Sequence, residues 1–130
     1  MQQKIEKFVG EFEFLSNHHK SALSFHGVIY PTATHAYQAQ KLESDFDRKK
    51  AASIQNPTDV IRFVKTCKRV QNWQDQARIV MKKVLRKKFE NPFMKCRLID
   101  TGDALLGDGR NFVGELLMEI REEIKLEKLS

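Results

Sequence analysis

Two stretches of the chain carry apolar side chains at helical spacing. After Trp73, the residues Ala77, Val80, Met81, Val84, Leu85 and Phe89 recur at steps of three and four, and Pro92 stops the run. Val113, Leu116, Leu117, Ile120 and Ile124 form the second stripe, with Glu115, Glu119, Glu122 and Glu123 outside it. Each pattern predicts an amphipathic helix with one core-facing side. A shorter stripe, Val60, Ile61 and Val64, follows Asn56-Pro57, an N-cap and first-position pair with Asp59 in the first turn. Ser44 to Ile54 predicts a further helix, with Ser44 and Asp47 at capping-box spacing. Alternation with period two is confined to the N-terminal part. Ile5 to Leu15 predicts a short strand, since Glu11 and Glu13 separate Phe12 and Phe14; Leu23 to Tyr30 predicts a hairpin turning at His26-Gly27. The expectation is a helix-rich α+β domain over residues 1–130, with a small N-terminal antiparallel sheet.

Between the hairpin and the longer helices lies Tyr30-Pro31-Thr32-Ala33-Thr34-His35-Ala36-Tyr37-Gln38-Ala39-Gln40-Lys41. Pro31 ends the extended segment, and Thr32 or Thr34 caps a short helix. At roughly 100° per residue, Thr34, Gln38 and Lys41 share a face flanked by His35 and Tyr37. Ala36 and Ala39 leave room for close packing elsewhere on the helix. So many hydrogen-bonding groups on a short helix point to a binding site.

Tyr-Pro-Thr-x-x-His-x-Tyr-Gln-x-x-Lys resembles the signature of the NADAR family, domains associated with NAD and ADP-ribose. Three further segments agree in order: Phe14-Leu15-Ser16-Asn17, Leu85 to Pro92, and Thr101-Gly102-Asp103 with Gly109 to Arg121. The resemblance covers about Phe12 to Glu122. It implies an N-glycosidase ancestry, with members acting on riboflavin-biosynthesis intermediates or removing ADP-ribose from guanine in DNA. It also implies a ligand site drawn from Phe14, Ser16, Asn17, His35, Tyr37, Gln38, Lys41, Lys68 and Asn111. Phe14 or Tyr37 would pack against a base, and Lys41 or Lys68 would meet phosphate. Two departures bear on the chemistry. The family's glutamate before the helix histidine is Thr34 here, and the acidic, tryptophan-bearing loop after Thr-Gly-Asp is absent, because Leu106 runs straight into Gly107-Asp108-Gly109.

Breaking an N-glycosidic bond passes through an oxocarbenium-like transition state, which calls for a carboxylate to activate water or steady positive charge. A threonine hydroxyl supplies neither. The candidates to replace it are His35, Asp103 and Asp108. The first reading is therefore a protein that binds, and sequesters or senses, an ADP-ribose-like or N-ribosyl nucleotide with hydrolysis lost. The second is an active N-glycosidase with a relocated carboxylate.

Charge adds a third reading. A net charge of +6 suits a phosphate-bearing partner, and Lys82, Lys83, Arg86 and Lys87 fall opposite the apolar stripe of their helix. The Lys82 to Lys88 helix would then meet a nucleic-acid backbone through that face, although no aromatic residues interleave with the lysines for base stacking. Cys67 and Cys96 lack metal or redox spacing and read as reduced thiols. His18-His19 reads as a pair of surface histidines in a turn, with no third ligand for a metal. No metal or cofactor is expected. With neither a signal peptide nor a membrane-length apolar run, the expected setting is the cytoplasm.

Overall fold

The computed structural model describes residues 3–109 and 112–129. In order they form strand β1 (Lys4–Ile5), a 3₁₀ helix (Gly10–Leu15), strands β2 (Leu23–Phe25) and β3 (Val28–Tyr30), and helices α1 (Ala33–Ala39), α2 (Asp45–Ser53), α3 (Pro57–Lys65), α4 (Trp73–Lys88) and α5 (Pro92–Asp100). Strand β4 (Leu105–Leu106) and helix α6 (Phe112–Leu129) complete the chain. The helix-rich α+β class expected from the pattern holds, and β2 and β3 make the expected antiparallel hairpin. His26 and Gly27 both take positive φ at its turn, 49° and 83°, which matches the right-handed twist of the flanking strands. No helix among the described residues is long and apolar enough to cross a membrane.

The chain divides into two compact units, Asn17–Lys88 and the pair of segments Met1–Ser16 and Phe89–Ser130. In the continuous unit α1 packs on α2, α3 and α4. Ala33, Ala36 and Ala39 are fully buried, so this seven-residue helix is held by close approach rather than by bulky side chains. Caps fix the neighbouring helices in place. The Ser44 hydroxyl accepts the Asp47 amide, and the Asn56 side chain accepts the Thr58 amide ahead of Pro57.

The discontinuous unit departs from expectation in three places. Ile5 to Leu15 is not one strand. Gly10 turns the chain at φ 60°, and Phe12 and Phe14 lie in the 3₁₀ helix that follows. Helix α4 already ends at Lys88, and Pro92 begins another helix, α5, which Asn91 caps by accepting the Phe93 and Met94 amides. Leu105–Leu106, outside the N-terminal part that carries the period-two alternation, pairs in parallel with Lys4–Ile5.

Gly114 in α6 lies against that strand. A Cβ placed there would sit 2.2 Å from the Leu106 carbonyl oxygen and 3.1 Å from the Gly107 Cα. Helix propensity alone favours alanine over glycine by about 1 kcal/mol. The overlap with backbone reverses the sign, and Gly114→Ala is expected to lose about 2–3 kcal/mol. Urea unfolding checks this, and a rise in midpoint would show that the helix does not approach so closely.

Candidate functional site

The site is built within Asn17–Lys88, around the N-terminus of α1. Thr32 caps the helix by accepting the His35 amide at 3.2 Å. His35 itself is fully buried. Its Nε2 lies 2.7 Å from the Ile54 carbonyl oxygen, and only a protonated nitrogen can bond there, so Nδ1 accepts the Thr32 hydroxyl at 2.7 Å. Burial, and then the charge of His18, hold its pKa below the usual range against the raising effect of the Ile54 bond. Both ring nitrogens are spent on joining α1 to the end of α2. His35 braces the N-terminus of α1.

Thr34 is 6% exposed and bonded on two sides. Its amide donates to the Asn17 carbonyl at 3.0 Å, and its hydroxyl lies 3.0 Å from His18 Nδ1. Position 34, where the resemblance leads one to expect a glutamate, thus holds a hydroxyl–imidazole pair. His18, read from sequence as one of two surface histidines, is exposed yet tied to the helix. Asn17 is held by its carbonyl and by Nδ2, which lies 3.5 Å from the Met81 sulfur on α4. Its Oδ1 is buried and has no hydrogen-bond partner. An amide oxygen in that state usually costs about 1–3 kcal/mol.

One turn further along α1, Tyr37 meets Trp73, the first residue of α4, with ring centroids 5.3 Å apart at 64°. The Lys41 ammonium lies 5.4 Å from the Tyr37 ring and 5.9 Å from the Trp73 ring. Burial lowers the Lys41 pKa, and the charges of Arg69 and Lys65 lower it further. Gln38 is half-buried on the same stretch. Lys68, the second expected phosphate contact, is directed elsewhere: its ammonium lies 3.6 Å from the Glu43 carboxylate.

The remaining expected residues belong to the discontinuous unit. Phe14 is 3% exposed and carries the Arg97 guanidinium 4.1 Å above its ring, which covers that face against a base. The Ser16 amide closes the 3₁₀ helix on the Glu13 carbonyl. Asp103 is exposed, 3.6 Å from the Lys125 ammonium, and Asp108 is exposed on its loop. Asn111 lies outside the described residues.

Lys88 corrects the basic-face reading. It is 2% exposed rather than aligned with Lys82, Lys83, Arg86 and Lys87, and burial drives its ammonium from 10.5 down to about 7. The signal was in the spacing, since position 88 lies four residues after Val84 and seven after Met81. A lysine amine that sheds its proton near neutral pH can accept a proton or attack an electrophilic carbon. Arg69, Lys65 and Trp73 were also missed, because nothing in the local pattern links them to a helix some thirty residues earlier.

Comparison with known proteins agrees with this architecture. The family model for the NADAR domain matches residues 3–108. The N-glycosidase YbiA of Escherichia coli (strain K12) is 31% identical over 120 residues, 78% of this chain and 75% of that protein. A riboflavin biosynthesis protein of Vibrio vulnificus is 28% identical over 130 residues, and the chain spans only 35% of its length. The NMR structure of E. coli YbiA superposes with a TM-score of 0.85 at 28% identity, covering 100% of this chain and 90% of that one.

Proposed function

The chain belongs to the NADAR domain family, and from that premise we propose that it binds an N-ribosyl or ADP-ribose-like nucleotide and holds it intact in the cytoplasm. The observation that carries this reading is the buried, unpartnered Oδ1 of Asn17 beside the α1 N-terminus. An acceptor kept there at a standing cost has a use if a ligand hydroxyl or amide N–H donates to it. Gln38 on the same helix and Lys41, two residues past its end, would take the sugar and the phosphate. Thr34 supplies no carboxylate, so the developing positive charge of N-glycosidic cleavage would go unsteadied. Sequestration fits these residues better than turnover.

Asn17→Ala separates a ligand role from a packing role. The variant removes the unpartnered acceptor together with the weak Nδ2 contact to the Met81 sulfur, two opposing effects that leave stability little changed, while affinity for the nucleotide falls by roughly 3- to 10-fold. Calorimetry with ADP-ribose, paired with thermal unfolding of the same variant, gives both readouts. Unchanged affinity together with a marked loss of stability would make Asn17 structural and remove the main support for the reading.

A second reading, N-glycosidase activity, is favoured by one feature, the Lys88 amine with its pKa near 7. Neutral at slightly alkaline pH, such an amine is a base or nucleophile, the kind of group that a chain with threonine at position 34 would need. Incubation with ADP-ribosyl-guanosine and with riboflavin-pathway N-ribosides, followed by mass spectrometry of bound and free fractions, separates the two. Intact ligand in the bound fraction supports sequestration, and free base in solution supports the enzyme.

A further inference from the structure

We infer that the groove between the segment entering α1 and the turn from α2 to α3 binds a small planar aromatic acid, a ligand distinct from the nucleotide proposed above. One wall is Pro31-Thr32 with His18 and Lys20 beside it; the other is the stretch Ala52–Gln55 with Pro57. The cavity between them measures about 470 Å³, in the range usual for small-molecule sites. It lies wholly within Asn17–Lys88, and Asn17, Gln38 and Lys41 do not line it.

Hydrogen bonds hold both walls in place without a ligand. The Ser21 amide donates to the Pro31 carbonyl at 3.1 Å, and His18 Nδ1 lies 3.0 Å from the Thr34 hydroxyl, so the first wall is fixed to α1. His35 ties the second wall to the same helix, with Nε2 donating to the Ile54 carbonyl at 2.7 Å. Asn56 then starts α3 by accepting the Thr58 amide at 2.9 Å, which sets Pro57 at the groove. A ligand meets a groove already formed and loses little affinity to ordering it.

The lining selects the occupant. Pro31, Ala52, Ile54 and Pro57 are half-buried and give the groove its apolar surface. The C–H groups of the two proline rings suit the negative face of an aromatic ring. Charge at the rim has one sign. Lys20 is exposed, its ammonium enters no ion pair among the described residues, and no carboxylate lines the groove. The Gln55 side chain is exposed there too and can bond a polar substituent on the ring. An apolar ring with one anionic group answers both features. A neutral ring leaves Lys20 without a partner, and a bare inorganic anion leaves the apolar surface in water.

The test is an NMR titration of the amide signals at one fixed salt concentration, with 1-naphthoate, its neutral analogue 1-naphthalenemethanol, and octanoate. Naphthoate is expected to saturate with a Kd of about 1 mM or tighter, shifting the signals of residues 18–20 and 52–55. The neutral analogue should bind about 3- to 5-fold more weakly, as should naphthoate to Lys20→Gln. Lys49→Gln, at an exposed lysine that does not line the groove, should match wild type. Octanoate, with more rotors to order, should bind at least roughly 3-fold more weakly than naphthoate. Shifts centred elsewhere would overturn the site. Equal affinity for the neutral analogue, or no loss in Lys20→Gln, would overturn the anionic assignment, and octanoate binding as tightly would overturn the planar one. ADP-ribose is titrated separately and then against bound naphthoate. If it binds and leaves naphthoate in place, both sites stand, and if it fails to bind, the nucleotide reading falls while the groove stands. Displacement of naphthoate by ADP-ribose would merge the groove with the nucleotide site and overturn the separate ligand.

Discussion

Thr34→Glu is expected to raise the release of free base from an N-ribosyl substrate by at least 100-fold over the wild-type protein. A positioned general base contributes typically ~100- to 10,000-fold, and a carboxylate at position 34 enters a helix whose Thr32 cap, His35 brace and Asn17 contact are already in place. The longer side chain does not go into an apolar hole. It meets the His18 imidazole, which lies 3.0 Å from the present hydroxyl. Thr34→Gln, of similar size and without charge, should release no more base than wild type. Chromatography of the free base over time gives the rates, and thermal unfolding confirms that both variants fold. A wild-type rate on the order of one per second or faster would dispose of the sequestering reading before the variants were made.

Lys88→Met should make the protein more stable at neutral pH and flatten its dependence on alkali. In the unfolded chain this amine titrates near 10.5, and in the folded protein near 7. Between those values the unfolded chain binds a proton that the folded one does not, so wild-type stability climbs as pH rises from about 7 toward 10. It is lowest, as far as this group is concerned, at and below pH 7. At about 1.4 kcal/mol per pH unit, the gap sets an upper bound on the order of 4–5 kcal/mol. Methionine keeps the unbranched stem in its buried place without the charge. Urea unfolding of both proteins at several pH values from 6 to 10 gives the difference free of other titrations. If that difference does not shrink as pH rises, the amine is not held neutral by burial. The same variant reports on chemistry: a more stable protein that loses residual base release places Lys88 in the reaction, since active sites trade stability for function.

What the sequence disclosed, it disclosed through local chemistry. Thr32, Ser44 and Asn56-Pro57 mark helix starts because a cap needs one acceptor within three residues. His26-Gly27 marks the hairpin because two successive positive φ angles suit few residue pairs. The alternation at Phe12 and Phe14 misled because two phenylalanines two apart fit a strand as well as a tight helix, and Gly10 decided between them. Helix α5 stayed hidden behind the habit of reading proline as a stop, although Asn91-Pro92 is the same cap pair as Asn56-Pro57. At the site, the helix face was legible and its partners were not. The Asn17 and Thr34 contact, the turn of Lys68 toward Glu43 and the approach of Trp73 depend on how distant segments meet. Lys88 was hidden by its charge, which outweighed a position on the apolar side.

The parallel pairing of Lys4–Ile5 with Leu105–Leu106 constrains how the protein comes to exist during translation. The partners stand about 100 residues apart in sequence, and at roughly 5–20 residues per second the first waits on the order of 5–20 s for the second to be synthesised. During that interval Asn17–Lys88, being continuous, can close its own core, while the earlier strand has no ladder to join. Loop closure over that span is slow relative to the local contacts of helices. Ribosome-bound chains halted once residue 88 has cleared the exit tunnel, but before residue 105 has, should therefore already hold the α1 region protected, with Ile5 still open to proteolysis.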